Sequence, residues 1–392
     1  MKSNDGSVKV LSKYLFDGVD YHHDVVMSIR DGLIIDLHWE NLSCDIVLED
    51  LVAPGFVDLQ VNGGGGVLFN AAPTIDSLQK MMAAHSQFGT TAMLPTVITD
   101  NVDVMSEAAD AVGLAIANKN LGIVGIHFEG PHISIAKKGA HSKEFIRPIS
   151  EEEWQIFERT DIGHILVTLA PEAVSAEDIQ KLVSLGVHVC IGHSNATFEC
   201  ADKGLKAGAT GFTHLFNAMS GINARHAGVA GCALLNDRAQ CGLIVDGLHV
   251  SEASCKLALK IKPRGGIFLV TDAMPPVGSA MKEFEFFGRT VTNNHGKLTS
   301  STGELAGSVL DMATAVRNCI KTLGVEESEA IRMGSLYPLS YLLSTRLPIS
   351  PLALLKAGKP ANFIQLDNDF CVKSTWIEGQ CVYGRHSVYS HK

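Results

Sequence analysis

The 392-residue sequence is short of charge and lacks several features that would place it quickly in a class. Only 19% of its residues are charged, and acidic side chains outnumber basic ones 42 to 32, for a formal net charge of −10. Without a basic excess the chain is not built to meet nucleic acid or an anionic membrane, whose phosphates are normally matched by a cationic patch. A small anionic metabolite stays open, because a few local donors suffice for one phosphate. The nine cysteines, at 44, 190, 200, 232, 241, 255, 319, 371 and 381, contain no Cys-x-x-Cys pair. Their irregular spacing excludes a disulfide framework, and they read as reduced core residues. No long uninterrupted apolar run occurs, nor a basic stretch leading into one near Met1, so a soluble cytoplasmic protein is expected. Asn195-Ala196-Thr197 spells a glycosylation sequon that such a location leaves unused. No G-x-G-x-x-G turn follows the first candidate strand of the central region, which weakens an open doubly wound sheet. The run Asn62-Gly63-Gly64-Gly65-Gly66 lacks the Gly-Lys-Ser/Thr of a phosphate loop and reads as a plain flexible loop.

What is present is apolar. With 46% hydrophobic residues the chain buries a large core, and its length suits one big domain with a minor partner. Short β-like runs open the chain at Val8 to Leu15, Asp24 to Arg30 and Leu33 to Leu37, punctuated by Asp17-Gly18 and Asp31-Gly32. The same character returns in Asn362 to Asp367 and in Val372 to Val382, broken at Glu378-Gly379. Both ends are therefore expected to join in a small β-sandwich domain, residues 1–52 with 349–392. Between them, eight apolar β-rich runs alternate with helix-like stretches: Ala53 to Val61, Thr91 to Ile98, Gly122 to Phe128, His164 to Ala170, His188 to Gly192, Gly208 to His214, Gln240 to Val245 and Ile267 to Val270. Near-continuous hydrophobic strands of this kind belong to a parallel sheet buried on both faces. An α/β chain with eight of them over residues 53–348 reads as a (β/α)₈ TIM-type barrel, a fold of roughly 250 residues.

Ionisable residues gather where these runs end. Glu129 closes the third, His193 follows the fifth, His214 ends the sixth and Asp272 follows the eighth. Strand C-termini of such a barrel converge on one mouth, so these four are expected to be neighbours. Two imidazoles and one carboxylate suit a borderline divalent ion such as Zn²⁺, and three protein ligands leave a position open for water. Asp272 is then the natural proton carrier. His127 shares the inward face of Glu129 but lies deeper, where packing in the barrel is the plainer role. Arg225 and His249 are candidate anion binders, although each taken singly reads as a solvated loop residue.

At these residues the chain resembles the N-acetylglucosamine-6-phosphate deacetylases of the amidohydrolase superfamily. The resemblance runs over nearly the whole length, through Pro54-Gly55-Phe56-Val57-Asp58, His127-Phe128-Glu129-Gly130-Pro131, Gly139-Ala140-His141 and Gly192-His193-Ser194-Asn195-Ala196. It continues in Thr213-His214-Leu215-Phe216-Asn217-Ala218-Met219, Asp246-Gly247-Leu248-His249, Val270-Thr271-Asp272-Ala273 and Leu305-Ala306-Gly307-Ser308. It implies Glu129, His193 and His214 as ligands of the catalytic metal, Asp272 as general base and then acid, and His141 as a contact to the sugar or the amide carbonyl. It assigns the substrate phosphate to Asn217, the backbone of Ala218, His249 and Arg225, the last from a neighbouring subunit of a homodimer or higher homo-oligomer. Leu305, Ala306 and Gly307 would line the sugar pocket and Ala140 would touch it through its backbone.

Many members of the wider superfamily carry His-x-His at the end of the first strand for a second metal, where this sequence has Gln60-Val61-Asn62. Neutral amides replace imidazole poorly, so one divalent ion per subunit is expected. Zn²⁺ comes first, Fe²⁺, Co²⁺ and Mn²⁺ fit the same donors, and Gln60 and Asn62 are left to bond substrate or water. The implied reaction is hydrolysis of N-acetyl-D-glucosamine 6-phosphate to D-glucosamine 6-phosphate and acetate. A cyclic amide or an N-acetylated galactosamine phosphate would use the same metal site with a different pocket, and a non-catalytic barrel scaffold would need none of these residues together.

Overall fold

Short strands joined by X-Gly turns build a sheet from the two chain ends. A computed structural model describes residues 6–39, 43–301, 303–344, 347–349 and 352–384. The outermost parts expected for the small domain, residues 1–5 and 385–392, and residues 40–42 and 350–351 lie outside the described residues. Seven strands pair in the order Gln380–Gly384, Val372–Ile377, Phe363–Leu366, Ile46–Pro54, Val8–Phe16, Tyr21–Arg30, Leu33–His38. All neighbours are antiparallel except Val8–Phe16 with Ile46–Pro54. The turns are of the kind that matches strand twist: Asp31 and Gly32 have φ of 50° and 81°, Glu378 and Gly379 of 47° and 69°. Val10, Val25, Met27, Ile34, Phe363 and Trp376 form the core of this sheet, with the Phe363 and Trp376 rings stacked at 5.2 Å. Buried Arg332, on the helix Glu327–Gly334, donates to the carbonyls of Gly18 at 2.8 Å and Val19 at 3.2 Å and so fastens a turn of the end sheet to the barrel.

The eight parallel strands of the barrel are Phe56–Val61, Thr90–Ile98, Gly125–Glu129, His164–Leu169, His188–Ile191, Gly211–Phe212, Gln240–Leu243 and Ile267–Leu269, hydrogen-bonded in sequence order. The run Ala53 to Val61, expected as one strand, is split at Gly55. Ala53 and Pro54 pair with Ile364 and Phe363 of the end sheet, and the barrel begins at Phe56. Gly55 passes so close to Thr91 that a Cβ would lie 2.2 Å from its Cγ2, which only glycine permits. The first and eighth strands close through a bridge from Val61 to Ala273 and through Asp272 N donating to Gln60 O at 3.0 Å. Helices follow the strands, and seven of them start on a side-chain cap, at Thr74, Asn101, Ser150, Ser175, Thr197, Ser251 and Asp311. Each such cap contributes about 1 kcal/mol. Among the described residues no helix is long and apolar enough to cross a membrane.

Two segments differ from expectation. Gly63–Gly66 is not a plain loop: Gly63–Gly64 pairs with Val67–Leu68, and the amides of Asn62 and Gly63 both donate to Ala273 O at 2.9 Å. After the eighth strand the chain forms a three-stranded antiparallel insert, Glu283–Phe286, Arg289–Asn294 and Lys297–Ser300, before the helix Met312–Lys321. Its alternation of exposed Glu283 and Glu285 with buried Phe284 and Phe286 is a half-buried strand pattern.

The seam between the first and eighth strands contains a fully buried carboxyl. Asp58 accepts from Thr271 Oγ1 at 2.5 Å and from the amides of Gln60 and Thr271. Burial outweighs these bonds and pushes its pKa up to about 7. A carboxyl whose folded pKa lies above its unfolded value binds more protons in the native state, so stability falls as pH rises from about 4 towards 7. Asp58→Asn should flatten that fall, with urea midpoints of variant and parent converging at acidic pH and the variant gaining at neutral pH. An unchanged pH dependence would show that Asp58 does not set it.

Candidate active site

At the mouth of the barrel three side chains are delivered by backbone in an uncommon conformation. His193, His214 and Asp272 follow the fifth, sixth and eighth strands with φ of 46°, 32° and 54°. Left-handed backbone at non-glycine residues is strained by roughly 1–3 kcal/mol and persists only where the surroundings impose it. Here they do: Gly192 N bonds Leu169 O, Ser194 N bonds Ala218 O, Leu215 N bonds Gly242 O and Asp272 N bonds Gln60 O, at 2.8–3.1 Å. Each turn redirects a side chain from the strand into the mouth.

Glu129, His193 and His214 meet there. Glu129 Oε1 lies 3.1 Å from His193 Nε2 and 2.9 Å from His214 Nε2, and the two Nε2 atoms are 3.0 Å apart. All three residues are buried. His193 donates from Nδ1 to the carbonyl of Lys137 at 2.9 Å, which fixes the ring with Nε2 turned to this centre. Two imidazole nitrogens and one carboxylate oxygen meeting in a buried spot are the donors a borderline divalent ion takes. The triad therefore fits a divalent metal. Burial alone would push the Glu129 carboxyl up, but its hydrogen bonds to His193 and His214 hold it well below the usual carboxylate range. Burial acts to lower His214, and the hydrogen bond and charge of Glu129 overcome it and raise that imidazole.

Asp272 stands beside the triad. Its Oδ1 accepts from Asn62 Nδ2 at 2.6 Å and from Gln60 Nε2 at 3.1 Å, and the same Gln60 nitrogen reaches Glu129 Oε1 at 3.1 Å. Burial first, then the charge of Glu129, push the Asp272 carboxyl up to about 6, near the pH at which a proton carrier is most effective. His141 lies over His193 with ring centroids 4.3 Å apart, its Nδ1 bonded to Thr99 Oγ1 at 2.7 Å. Burial, then the neighbouring His193, keep its pKa well below the ordinary value, so the ring is neutral. His127, as expected, sits deeper: it bonds Thr96 and Thr168 hydroxyls, and burial lowers it to about 4.

These groups open on a cavity of about 450 Å³. Asn62, Ala140, His141, Asn217, Ala218, His249, Leu305, Ala306 and Gly307 all line it, with Glu129, His193, His214 and Asp272 at the same wall. Gln60 lies behind that wall. His249 is oriented by Asp246, whose Oδ2 is 2.6 Å from its Nδ1. Leu305 to Gly307 are brought in because Ser308 N donates to Asp272 O at 2.9 Å and Ser308 O accepts from Met274 N at 3.0 Å. Arg225 does not reach the cavity of its own chain; it stands exposed on the loop before the helix Gly228–Leu235. Sequence reasoning missed Lys137, whose carbonyl orients His193, and Thr99, which orients His141. It also missed Phe286 and Glu304, which the insert and its exit bring to the cavity. Both had a signal: Glu304 immediately precedes Leu305, and Phe286 belongs to the alternation of Glu283 to Phe286.

Residues 51–382 match the Amidohydrolase family. The chain is 47% identical to the N-acetylgalactosamine-6-phosphate deacetylase of Shewanella sp. (strain ANA-3), over 84% of this chain and 82% of that protein. It is 32% identical to the N-acetylglucosamine-6-phosphate deacetylase of Haemophilus influenzae, over 88% of this chain and 87% of that one. The crystal structure of the N-acetylglucosamine-6-phosphate deacetylase from Pasteurella multocida superimposes with a TM-score of 0.89 at 33% identity, covering 96% of this chain and 99% of that one.

Removing a ligand should empty the centre. Glu129→Gln and His214→Asn are each expected to reduce bound divalent metal to a small fraction of the parent's content by elemental analysis after gel filtration. Retention of full metal by both variants would place the ion elsewhere.

Proposed function

The chain belongs to the amidohydrolase family and is a hydrolase of carbon–nitrogen bonds, and from that premise we propose that it removes the acetyl group from an N-acetylhexosamine 6-phosphate. The observation that carries the reading is the single wall on which Glu129, His193, His214 and Asp272 stand, facing a cavity of sugar-phosphate size, about 450 Å³. The names of the relatives supply the substrate class.

On this reading one divalent ion per chain, zinc by its donor set, is held by Glu129, His193 and His214. Bound there, it supplies the Lewis-acid charge that makes water acidic near neutral pH and polarises an amide carbonyl. Asp272 takes the proton of the attacking water, and the same carboxyl returns it to the amide nitrogen as the carbon–nitrogen bond breaks. Its two amide donors both sit on Oδ1, which leaves Oδ2 to exchange the proton. His141, its ring held with Nδ1 2.7 Å from Thr99 Oγ1, faces the carbonyl oxygen as it gains charge. Asn217, the backbone of Ala218 and His249 hold the 6-phosphate, joined by Arg225 of a second copy of the chain, an arrangement in keeping with the exposure of Arg225 here. Acetate and the amino-sugar phosphate leave. A phosphorylated substrate does not cross membranes unaided, which supports a cytoplasmic location.

The resemblance of the motifs favours the glucosamine epimer, whereas the relative at 47% identity acts, by its name, on the galactosamine epimer. The margin over the 32% relative leads us to propose N-acetylgalactosamine 6-phosphate as the better substrate, with N-acetylglucosamine 6-phosphate turned over as well.

Acetate release from both sugar phosphates tests this directly. The parent should act on them, prefer the galactosamine epimer in kcat/KM, and be at least about 100-fold slower on the unphosphorylated sugars, whose amide is no longer oriented by remote binding. Asp272→Asn should retain its metal and lose roughly 10²–10⁴-fold in kcat. Equal rates with and without phosphate would overturn the substrate class, and an active Asp272→Asn would remove Asp272 from the mechanism.

A further inference from the structure

Asn62 is 2% exposed and lines the cavity beside Asp272. A carboxylate only accepts hydrogen bonds, so the 2.6 Å contact commits the amide nitrogen of Asn62 to Asp272 Oδ1. The backbone is equally committed, its N–H donating to Ala273 O and its carbonyl accepting from Phe69 N, both at 2.9 Å. The remaining polar atom, the side-chain oxygen Oδ1, is buried with no partner among the described residues. A buried amide oxygen left unmatched is unfavourable and rare, and here it belongs to a residue on the cavity wall next to the proton carrier.

Resting on the deacetylase reading above, we infer that Asn62 Oδ1 accepts the hydrogen bond of the substrate's acetamide N–H. The chemistry of the site has this one gap. The carbonyl oxygen of the amide is served by the metal centre and His141, and its nitrogen must receive a proton from Asp272, but no other assigned group meets the N–H. An acceptor adjacent to Asp272 fixes the amide plane. As the carbon becomes tetrahedral, the nitrogen lone pair then faces the carboxyl that will protonate it, while its hydrogen stays on Asn62. Gln60 is an internal comparison, because it donates to the same Asp272 oxygen yet does not line the cavity.

The test compares each N-acetylhexosamine 6-phosphate with the matching 2-O-acetyl hexose 6-phosphate, an ester whose bridging oxygen has no hydrogen to donate. Asn62→Leu, Asn62→Ala and Asn62→Ser are measured beside Gln60→Leu, with metal content and unfolding midpoint confirming that each is folded and loaded. Whatever Asn62 does for Asp272 is shared with Gln60, and the Gln60 variant shows how far that alone moves amide against ester. Loss of the N–H contact should lower the amide-to-ester ratio of kcat/KM by roughly 10–100-fold in the Asn62 variants. Gln60→Leu should leave that ratio within about threefold of the parent. A ratio unchanged by Asn62 substitution, or lowered equally by Gln60→Leu, overturns the inference while the deacetylase reading stands. A parent that is fully metallated yet inert on both amides overturns the reading and the inference together.

Discussion

Two carboxyl groups, buried Glu129 and half-buried Asp272, lie within reach of a single amide nitrogen, that of Gln60, and the rest of the mouth is arranged around that fact. Two adjacent carboxylates repel, so both cannot stay ionised without compensation. The protein answers each differently. Glu129 receives two imidazoles and is held ionised, ready to bind a cation. Asp272 receives only neutral amides, and burial with the charge of Glu129 raises it towards neutrality. One carboxylate is thereby kept ionised and the other brought near the point where it can gain and lose a proton, the division of labour that the proposed acid–base chemistry at an amide needs.

This arrangement depends on where the barrel closes. The seam between the first and eighth strands carries Asp58, Gln60, Asn62, Thr271 and Asp272, tied by Thr271 Oγ1 to Asp58 and by backbone bonds from Asn62, Gly63 and Asp272. A seam bonded through side chains as well as backbone can hold polar groups in register while the strands elsewhere pack apolar side chains in continuous layers. Amides in place of imidazoles at Gln60 and Asn62 belong to this logic, because an amide can donate to a neighbouring carboxylate and still offer an acceptor, whereas a neutral imidazole fixed at one nitrogen faces the other way.

The barrel was readable because its eight strands are apolar on both faces, and Glu129, His193, His214 and Asp272 were readable because they fall where such runs end. The break at Gly55 was not, since the end-sheet strand and the first barrel strand are equally apolar and only the approach to Thr91 separates them. Lys137 acts through its backbone carbonyl, a contribution no side-chain pattern records. Thr99 is a hydroxyl one residue beyond a strand and takes its meaning from His141, forty-two positions on. The insert could have been read from the alternation at Glu283 to Phe286 and from the turns at Phe287-Gly288 and His295-Gly296, which have the positive φ values of tight hairpins. Arg225 carries its assignment from the family resemblance alone, because it stands exposed and away from the cavity of its own chain.

The division between strand ends and insert also bears on how a change of substrate could be made on this scaffold. The reacting groups stand on strand ends locked by backbone bonds, where a small shift would be costly. The sugar side of the cavity is different. Phe286 and the stretch Glu304 to Gly307 come from the insert and its exit, and the insert is tied to the opposite loop by Arg289, which donates to Ala140 O at 2.9 Å and pairs with Glu304. Replacing a few insert residues would therefore reshape the wall that meets the sugar ring without moving Glu129, His193, His214 or Asp272. Loops held on a rigid scaffold vary more freely than the scaffold does, so on the proposed function a change of epimer preference would fall on the insert and leave the barrel's reacting groups in place.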